Sequence, residues 1–544
     1  MSDADEPATP HRIEDAAGGP VADHDGSPAD RYPAEEHPRH WWTWALAGVV
    51  SVLAGLGAAE LTAGLLAPAS SPLLVVGSLV IDSVPGWVKD IAISLFGTAD
   101  KIVLLVGLGV LVALLAAVAG VVDRRWPPFG RSLVAVIGLV GVSAAVTRAH
   151  AGPLDSVSSL VAIAVSILVL SWLSRTLRPG RISTSPESAD RRRFLAVAGV
   201  TAGLGALAVL GGRALTIGRQ TTEAVRSVIR LPKPAVAAPA LGGGTSFQVA
   251  GLTPIVTPNA DFYRIDTALQ VPNIDPKNWS LKITGMVDNE VELSFAELMA
   301  LPLEESYTTL TCVSNYVGGD LIGNAKWLGY PIRELLTRAG PKPGADMVLS
   351  TSIDGFTASS PLTALTDGRN AILAVGMNDK PLPLEHGFPV RMVVPGLYGY
   401  VSATKWVVSM EVTTFAKQTA YWTDRGWSER GPVKLSSRID VPAIGAGGVK
   451  AGTVAVAGVA WEQHVGICAV QVRVDGGQWN DAELADAISE DTWRQWVWRW
   501  PATSGRHRLT VRAIDANGVV QTSAIADVVP DGATGLHSVD VQVA

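Results

Sequence analysis

Two stretches of this chain carry side chains suited to chemistry. The first is Leu310-Thr311-Cys312-Val313-Ser314-Asn315-Tyr316-Val317-Gly318-Gly319-Asp320, with Trp327-Leu328-Gly329-Tyr330-Pro331 just behind it. It holds one of only two cysteines in 544 residues, at the end of an expected strand, Ser306 to Thr311, and at the mouth of a polar loop. An exposed-loop thiol there is a candidate metal ligand or nucleophile, although an isolated cysteine is more often a small buried hydrophobe. The second stretch runs from Leu382 through His386, Gly387, Pro389 and Arg391 to Pro395-Gly396-Leu397-Tyr398-Gly399 and Lys405-Trp406. His386, Arg391 and Lys405 would make a basic, hydrogen-bonding pocket for a phosphate or other anion. Alternatively, Arg391 braces a nearby carboxylate and His386 is a turn residue. The chain has no Gly-x-Ser-x-Gly elbow, phosphate-binding glycine loop or His-Glu-x-x-His, so it offers little for hydrolysis.

The elements that position these residues belong to an α+β pattern that begins at Thr253. Trp279 to Val287 alternates as a strand, and Ser294 to Leu298 begins a short helix with a capping-box pair, Ser294 and Glu297. The Cys312 strand, a helix at Ile332 to Ala339 and a strand at Met347 to Ser352 follow, and Phe388 to Pro395 and Lys405 to Thr414 read as further strands. From about Arg430 the pattern becomes short strands between Gly/Asp turns: Gly452 to Val459, Ile467 to Asp475, Trp493 to Trp500 and His507 to Asp515. That spacing is expected of an immunoglobulin-like β-sandwich, with Cys468 as a core thiol.

Ahead of this lies a different kind of sequence. The chain is 48% apolar and only 17% charged, with a net charge of −7, and the apolar excess is concentrated in residues 41–215. Residues 1–40, rich in Asp, Glu, Pro and Ala, are expected to be a disordered tail with solvated His11, His24, His37 and His40. Trp41-Trp42-Thr43-Trp44 opens the first of five expected membrane spans, ending near Ala67. The others are Ile102 to Val122, Leu133 to Val146, Val157 to Leu173 and Phe194 to about Leu210, while Pro72 to Phe96 reads as interfacial or re-entrant. Arg124, Arg125, Arg131, Arg175, Arg178 and Arg181 mark the cytoplasmic loops. Asp190-Arg191-Arg192-Arg193-Phe194-Leu195 resembles a twin-arginine export signal and equally fits a plain positive-inside cluster. Both put the later domains on the extracytoplasmic side of the cytoplasmic membrane, after a tether at residues 231–245. The acidic balance gives no surface for nucleic acid. Two cysteines, Cys312 and Cys468, exclude an iron–sulfur cluster or c-type haem on this polypeptide.

Cys312 in Thr-Cys-Val-Ser-Asn, Trp327-x-Gly329, His386-Gly-Phe-Pro-Val-Arg391, Pro395-Gly-x-Tyr-Gly399 and Lys405-Trp406 together resemble the sulfite oxidase family of molybdenum enzymes. Val472-Arg-Val-Asp-Gly476-Gly477-Gln-Trp479, Trp493-Arg-Gln-Trp496 and His507 to Asp515 resemble that family's dimerisation domain. The resemblance implies one molybdenum held by the dithiolene sulfurs of one molybdopterin and by a cysteine thiolate, with oxo ligands completing the site. Cys312 matches that ligand. His386 and Arg391 match residues that bind the pterin and its phosphate, Ser402, Ala403 and Lys405 match a backbone-and-lysine clamp, and Ser352 lies near a further pterin contact. Asn259, Tyr263 and Arg264 resemble a segment that wraps the cofactor in the exported branch, although Ala260 and Asp261 depart from it. Tyr316, where animal sulfite oxidases place an Asn-Arg-type sequence, could bond a substrate oxygen or simply pack. No haem is expected, since only His40 and His150 lie near the spans and at opposite faces.

The reading is therefore an α+β enzyme in a fixed order. A tail (1–40) precedes a transmembrane region (41–215), a linker (216–245), a molybdopterin-binding catalytic domain (246–425) and an immunoglobulin-like dimerisation domain (430–544). The expected chemistry is two-electron oxygen-atom transfer of sulfite dehydrogenase type, on a small oxyanion, with a cytochrome or quinone-linked electron carrier and a homodimeric assembly. The alternatives are an S-oxide, N-oxide or nitrate-type reductase on the same cofactor, and a cofactor-free membrane-anchored binding or assembly protein.

Overall fold

The structure is a computed structural model that describes residues 41–67, 70–85, 88, 95–96, 100–148, 152, 154–178, 187–218, 221–443 and 449–544. The expected tail, with its four histidines, and His150 lie outside the described residues.

Long apolar runs produce these helices among the described residues: α1 (Trp41–Leu66), α2 (Pro72–Ser83), α3 (Asp100–Arg125), α4 (Pro127–Val146), α5 (Val157–Leu177) and α6 (Glu187–Gly218). All but α2 contain a segment long and apolar enough to cross a membrane. The 12 residues of α2 are too few at 1.5 Å per residue. Glycines let α1 approach its neighbours closely. A Cβ at Gly48 would strike the Ala116 carbonyl of α3, one at Gly55 the Ser166 hydroxyl of α5, and one at Gly57 the Gly205 carbonyl of α6. At one end of the bundle the buried Asp123 of α3 accepts from Ser174 Oγ at 2.7 Å and pairs with Arg131 at 3.3 Å and Arg178 at 3.7 Å. At the other end of α3, Lys101 reaches the sheet-rich region, donating to Asp266 Oδ1 at 3.0 Å and Ala268 O at 2.6 Å. The arginine-bearing loops and the sheet-rich region are thus separated by the length of α3.

Ten strands build the central region: β1 (Ser280–Gly285), β2 (Val291–Ser294), β3 (Glu304–Thr311), β4 (Ile322–Pro331), β5 (Met347–Ser352), β6 (Thr357–Pro361), β7 (Ile372–Met377), β8 (Lys380–Pro381), β9 (Arg391–Val393) and β10 (Val407–Thr413). One sheet runs β2-β1-β10-β5-β6 and the other β3-β4-β7-β8, with β9 paired to β7. The helix Phe295–Ala300 carries the expected capping box between Ser294 and Glu297. Leu281, Ile283, Leu335, Val348, Val407 and Met410 are among the residues of the largest hydrophobic core.

Eight strands follow: β11 (Ser436–Val441), β12 (Gly452–Trp461), β13 (Ile467–Val474), β14 (Asn480–Asp481), β15 (Glu483–Leu484), β16 (Arg494–Ala502), β17 (Gly505–Asp515) and β18 (Ser538–Val543). They form two four-stranded antiparallel sheets, β11-β12-β16-β15 and β14-β13-β17-β18. Val456, Val470, Trp496, Leu509 and Val541 share one core between them.

Four expectations are corrected. Cys468 is exposed rather than a core thiol, because its position on β13 alternates with the buried Ile467 and points away from the shared core. The strand expected over Phe388 to Pro395 shrinks to β9. The strand expected from Lys405 starts only at Val407, because Trp406 turns the chain with a φ of 51°. Finally, the 231–245 tether is not a free linker: the Ala235 amide donates to Leu303 O at 2.7 Å and the Glu305 amide to Val236 O at 2.8 Å, so this strap lies along β3.

Candidate functional site

Cys312 stands one residue beyond β3, where the β3–β4 ladder closes. Its amide donates to Leu321 O at 2.9 Å, and the Asn315 amide donates back to Cys312 O at 3.1 Å. Asn315 Oδ1 accepts from the Leu321 amide at 2.9 Å, so the loop between the strands is tied across its neck. From behind, Gln463 Nε2 donates to Thr309 O at 3.1 Å and Thr311 Oγ1 at 2.8 Å, which braces the strand end against the C-terminal sheets. The thiol itself is buried, 8% exposed, rather than displayed on an open loop. Burial pushes its pKa up, against hydrogen bonds from the Ser314 amide and hydroxyl and the positive charge of Lys405, which favour the thiolate. Tyr316, by contrast, is 64% exposed on the outer side of the same loop.

Arg391 begins β9 with its side chain turned into the protein. Its Nη1 donates to His386 O at 3.2 Å, its Nε to Met392 O at 3.3 Å and its Nη2 to Ala403 O at 3.4 Å, and its guanidinium lies 5.1 Å from the centre of the Trp327 ring. Among the described residues it has no carboxylate partner. Burial lowers its pKa to about 10, which leaves it a cation at any ordinary pH. His386 is held by Nε2 against the Asn259 carbonyl at 3.2 Å, while its Nδ1 is buried with no hydrogen-bond partner among the described residues. Burial, with Arg391 and Lys405 nearby, lowers its pKa to about 4, so the imidazole is neutral. Phe262 packs edge-on against both Trp327 and His386 and stacks on Tyr263 at 5.3 Å. Burial pushes Tyr263 well above the usual phenol range, and the nearby Cys312 adds to that.

A cluster of cations surrounds one carboxylate beside this. Asp266 accepts from Lys405 at 3.2 Å, Arg264 at 2.9 Å and Lys101 at 3.0 Å. Burial opposes its ionisation, but Lys405, Lys101 and Arg264 together hold its carboxyl below the usual range. Asp266 thus faces three cations, with Arg391 close by and the buried Asp354 carboxylate near enough to interact with Asp266, so positive groups outnumber negative ones in the cluster. Burial and Arg391 bring the Lys405 pKa down to about 8, against the stabilising pull of Asp266. Ser352 ends β5 opposite Val407, and the Ile353 amide donates to Trp406 O at 3.0 Å, which ties that turn to the Lys405 segment. Ser402 is fully buried and donates to Tyr398 O at 2.9 Å, while the Ala403 carbonyl serves Arg391.

The fold thus brings Tyr263, Cys312, His386, Arg391, Ala403 and Lys405 together, with Asn259 and Arg264 beside them, while Ser352 and Ser402 are buried against the segments that carry Lys405 and Ala403. A family model for the oxidoreductase molybdopterin binding domain matches residues 268–422. The uncharacterized oxidoreductase YuiH of Bacillus subtilis is 32% identical over 157 residues, covering 29% of this chain and 76% of YuiH. The chain belongs to the sulfite oxidase family of molybdopterin oxidoreductases. Mitochondrial sulfite oxidase of Mus musculus is 29% identical over 324 residues, half of this chain and 58% of the mouse protein. Sulfite oxidase of Arabidopsis thaliana is 29% identical over 338 residues, half of this chain and 84% of the plant protein. The chain therefore spans little more than half the length of its mammalian relatives in the family. The crystal structure of the sulfane dehydrogenase SoxCD from Paracoccus pantotrophus aligns with a TM-score of 0.47 at 21% identity, over 53% of this chain and 83% of that one.

The molybdopterin-binding segment of this family member includes Cys312, Ser352, His386, Arg391, Ser402, Ala403 and Lys405, whereas Asn259, Tyr263 and Arg264 precede it. The residues present fit an anionic, hydrogen-bonding cofactor. Among the described residues the buried His386 Nδ1 has no hydrogen-bond partner and the buried Arg391 no carboxylate, and positive groups outnumber negative ones around Asp266. Asp266 and Lys101 had no role assigned from the sequence, and Trp327 stood there as part of the motif without its place under Arg391. Asp266 could have been marked by its place two residues after Arg264; for Lys101 the sequence holds no such signal.

Proposed function

We propose that the protein is a membrane-anchored molybdopterin-dependent oxidoreductase that performs two-electron oxygen-atom transfer of sulfite dehydrogenase type. The observation that carries this is the convergence of a buried Cys312 thiol with His386, Arg391 and Lys405 inside a family-matched segment. When bound, the molybdenum centre supplies the two-electron oxygen-atom chemistry. Cys312 would hold the metal from the end of β3, the two Ser314 donors and Lys405 offsetting part of the burial that disfavours its thiolate. Arg391, His386 and Lys405 would bind the pterin and its phosphate, with Ser402, Ala403 and Ser352 lining the same wall. Asn259, Tyr263 and Arg264 would close over it from the preceding segment, and Phe262 and Trp327 keep water from the cations. Tyr316 offers its hydroxyl on the open side of the Cys312 loop, where a small oxyanion would arrive, and Tyr316→Phe tests that role by its effect on KM and kcat.

The separation of the arginine-bearing loops from the sheet-rich region by the length of α3 supports an extracytoplasmic catalytic domain. The two sheets of residues 436–543 support an immunoglobulin-like sandwich, which in this family would mediate a homodimer. Electrons would leave through a separate cytochrome or quinone-linked carrier. Metal and pterin analysis of the full-length protein, grown with molybdate and cofactor synthesis intact, tests the reading. About one molybdenum per chain is expected, and Cys312→Ser should lose most of it; a parent protein without molybdenum would sink the enzyme reading. A screen of sulfite against S-oxide and N-oxide substrates with artificial acceptors and donors then sets the direction.

A further inference from the structure

The mechanism leaves Lys101 unassigned, although its ammonium makes three hydrogen bonds to the segment that precedes β1. It stands in the first turn of α3, one of the apolar helices, and its ammonium donates to Asp266 O at 3.1 Å, Asp266 Oδ1 at 3.0 Å and Ala268 O at 2.6 Å. Asp266 is the carboxylate that also holds Lys405 and Arg264, and its side chain is only 5% exposed. The segment from Asn259 to Ala268 contains no helix or strand; its Asn259 end is held by His386 and Asn378, while the end that carries Arg264 and Asp266 has no ladder partner among the described residues. Lys101 holds that second end from outside. It satisfies two carbonyls of the segment and orients the carboxylate that in turn orients Lys405.

A second contact shows that this end of the bundle is fitted to the segment: a Cβ at Gly77 of α2 would come within 2.9 Å of Leu269 Cδ1. A third, further away, lies at Asp82, whose carbonyl accepts from Arg425 Nη2 at 2.9 Å and whose carboxylate accepts from Tyr421 Oη at 3.2 Å. The hydrogen bonds of Asp82 go to Arg425 and Tyr421 rather than to the cation cluster. The contact at Asp82 therefore differs in kind from that of Lys101, since the one docks while the other reaches a carboxylate that holds Lys405.

We infer that Lys101 is a positioning residue of the molybdopterin site, acting through Asp266 on Lys405 and Arg264, so that the membrane helices complete the cofactor pocket rather than only anchoring it. This rests on reading the pocket as the molybdopterin site. The test is cofactor retention in full-length protein in detergent, measured as molybdenum and as oxidised pterin fluorescence per chain during dialysis. Lys101→Met removes all three hydrogen bonds and should lose both on the order of tenfold faster than the parent, the dissociation-rate equivalent of about 1.4 kcal/mol of weakened binding transmitted to the site. Lys101→Arg should restore retention, and Asp82→Asn should leave it at the parent's level. If Lys101→Met does not accumulate, Lys101→Gln serves in its place, since it keeps a donor for the carbonyls but removes the charge; it should lose cofactor too. Parent-like retention in Lys101→Met or Lys101→Gln overturns the inference, as does equal loss in Asp82→Asn. A parent protein that never contains molybdenum instead overturns the functional reading itself.

Discussion

The guanidinium of Arg391 lies over the ring of Trp327, 5.1 Å from its centre, and Trp327 is fully buried. The indole Nε1 donates to Thr308 O at 3.1 Å, so the ring is fixed to β3, four residues before Cys312. One aromatic side chain thus links the strand that presents the thiol to the arginine of the anion pocket. Trp327→Ala should cost about 3–5 kcal/mol of stability by loss of packing, whereas Trp327→Phe keeps a ring under the cation and should cost about 1–3 kcal/mol, mainly for the orphaned carbonyl. Thermal unfolding of both variants in detergent checks the ranking. A larger loss in Trp327→Phe would contradict it.

His386 gives the cofactor-free protein a specific pH dependence. Its pKa falls from 6.5 to about 4 on folding, chiefly by burial and then by Arg391 and Lys405. Protons therefore bind the unfolded chain more readily between those values, so this contribution to stability is complete above pH 6.5 and is lost as pH falls towards 4. The loss should amount to about 3 kcal/mol. His386→Asn should flatten that part of the stability–pH curve, measured on protein made without cofactor synthesis; an unchanged slope would count against the buried neutral imidazole.

Gly387 sits at a φ of 107°, and a Cβ there would lie 2.9 Å from Arg391 Cβ and 3.1 Å from Lys405 Cβ. Neither neighbour can retreat as a flexible tip could, because both contacts are at the root of the side chain. Gly387→Ala should therefore destabilise the protein by about 1–3 kcal/mol through backbone strain and displace both cations at once. The expected result is a lower melting temperature together with reduced molybdenum content. A variant that melts normally with full metal would show that the turn can adapt.

Gln463, 2% exposed, is the bolt between the C-terminal sheets and the Cys312 strand. Gln463→Ala would strand the Thr309 carbonyl and the Thr311 hydroxyl, at a cost of about 1–3 kcal/mol. Because the change is behind the strand, the pocket side of Cys312 keeps its residues. Faster exchange of the Cys312 amide with solvent deuterium is the expected signature, and unchanged protection there would assign Gln463 a role in packing alone.

Much of the architecture is local information. Five long apolar runs suffice to specify the crossing-length helices, because their hydrophobicity is a property of consecutive residues. The Ser294–Glu297 capping box, the helix Ile332–Ala339 and the strand Met347–Ser352 fall where the pattern predicts them. The thiol and the basic pocket were also legible as residue types, since the sequence names Cys312, His386, Arg391 and Lys405 and puts the cysteine at a strand end.

What the sequence could not contain was which charge faces which. Lys101 meets Asp266 across 165 residues and Lys405 meets it across 139, and Arg391 finds Trp327 only because β9 and β4 both pair with β7. The exposed Cys468 and the buried Cys312 are both free cysteines, and only the packing of two sheets and a loop neck separates them. Ion pairs and ring contacts of this kind carry no period along the chain. Their partners are chosen when distant segments are packed together, so the chemistry available at Cys312 was written in the sequence, while the field and the fixed geometry around it were decided by the tertiary structure.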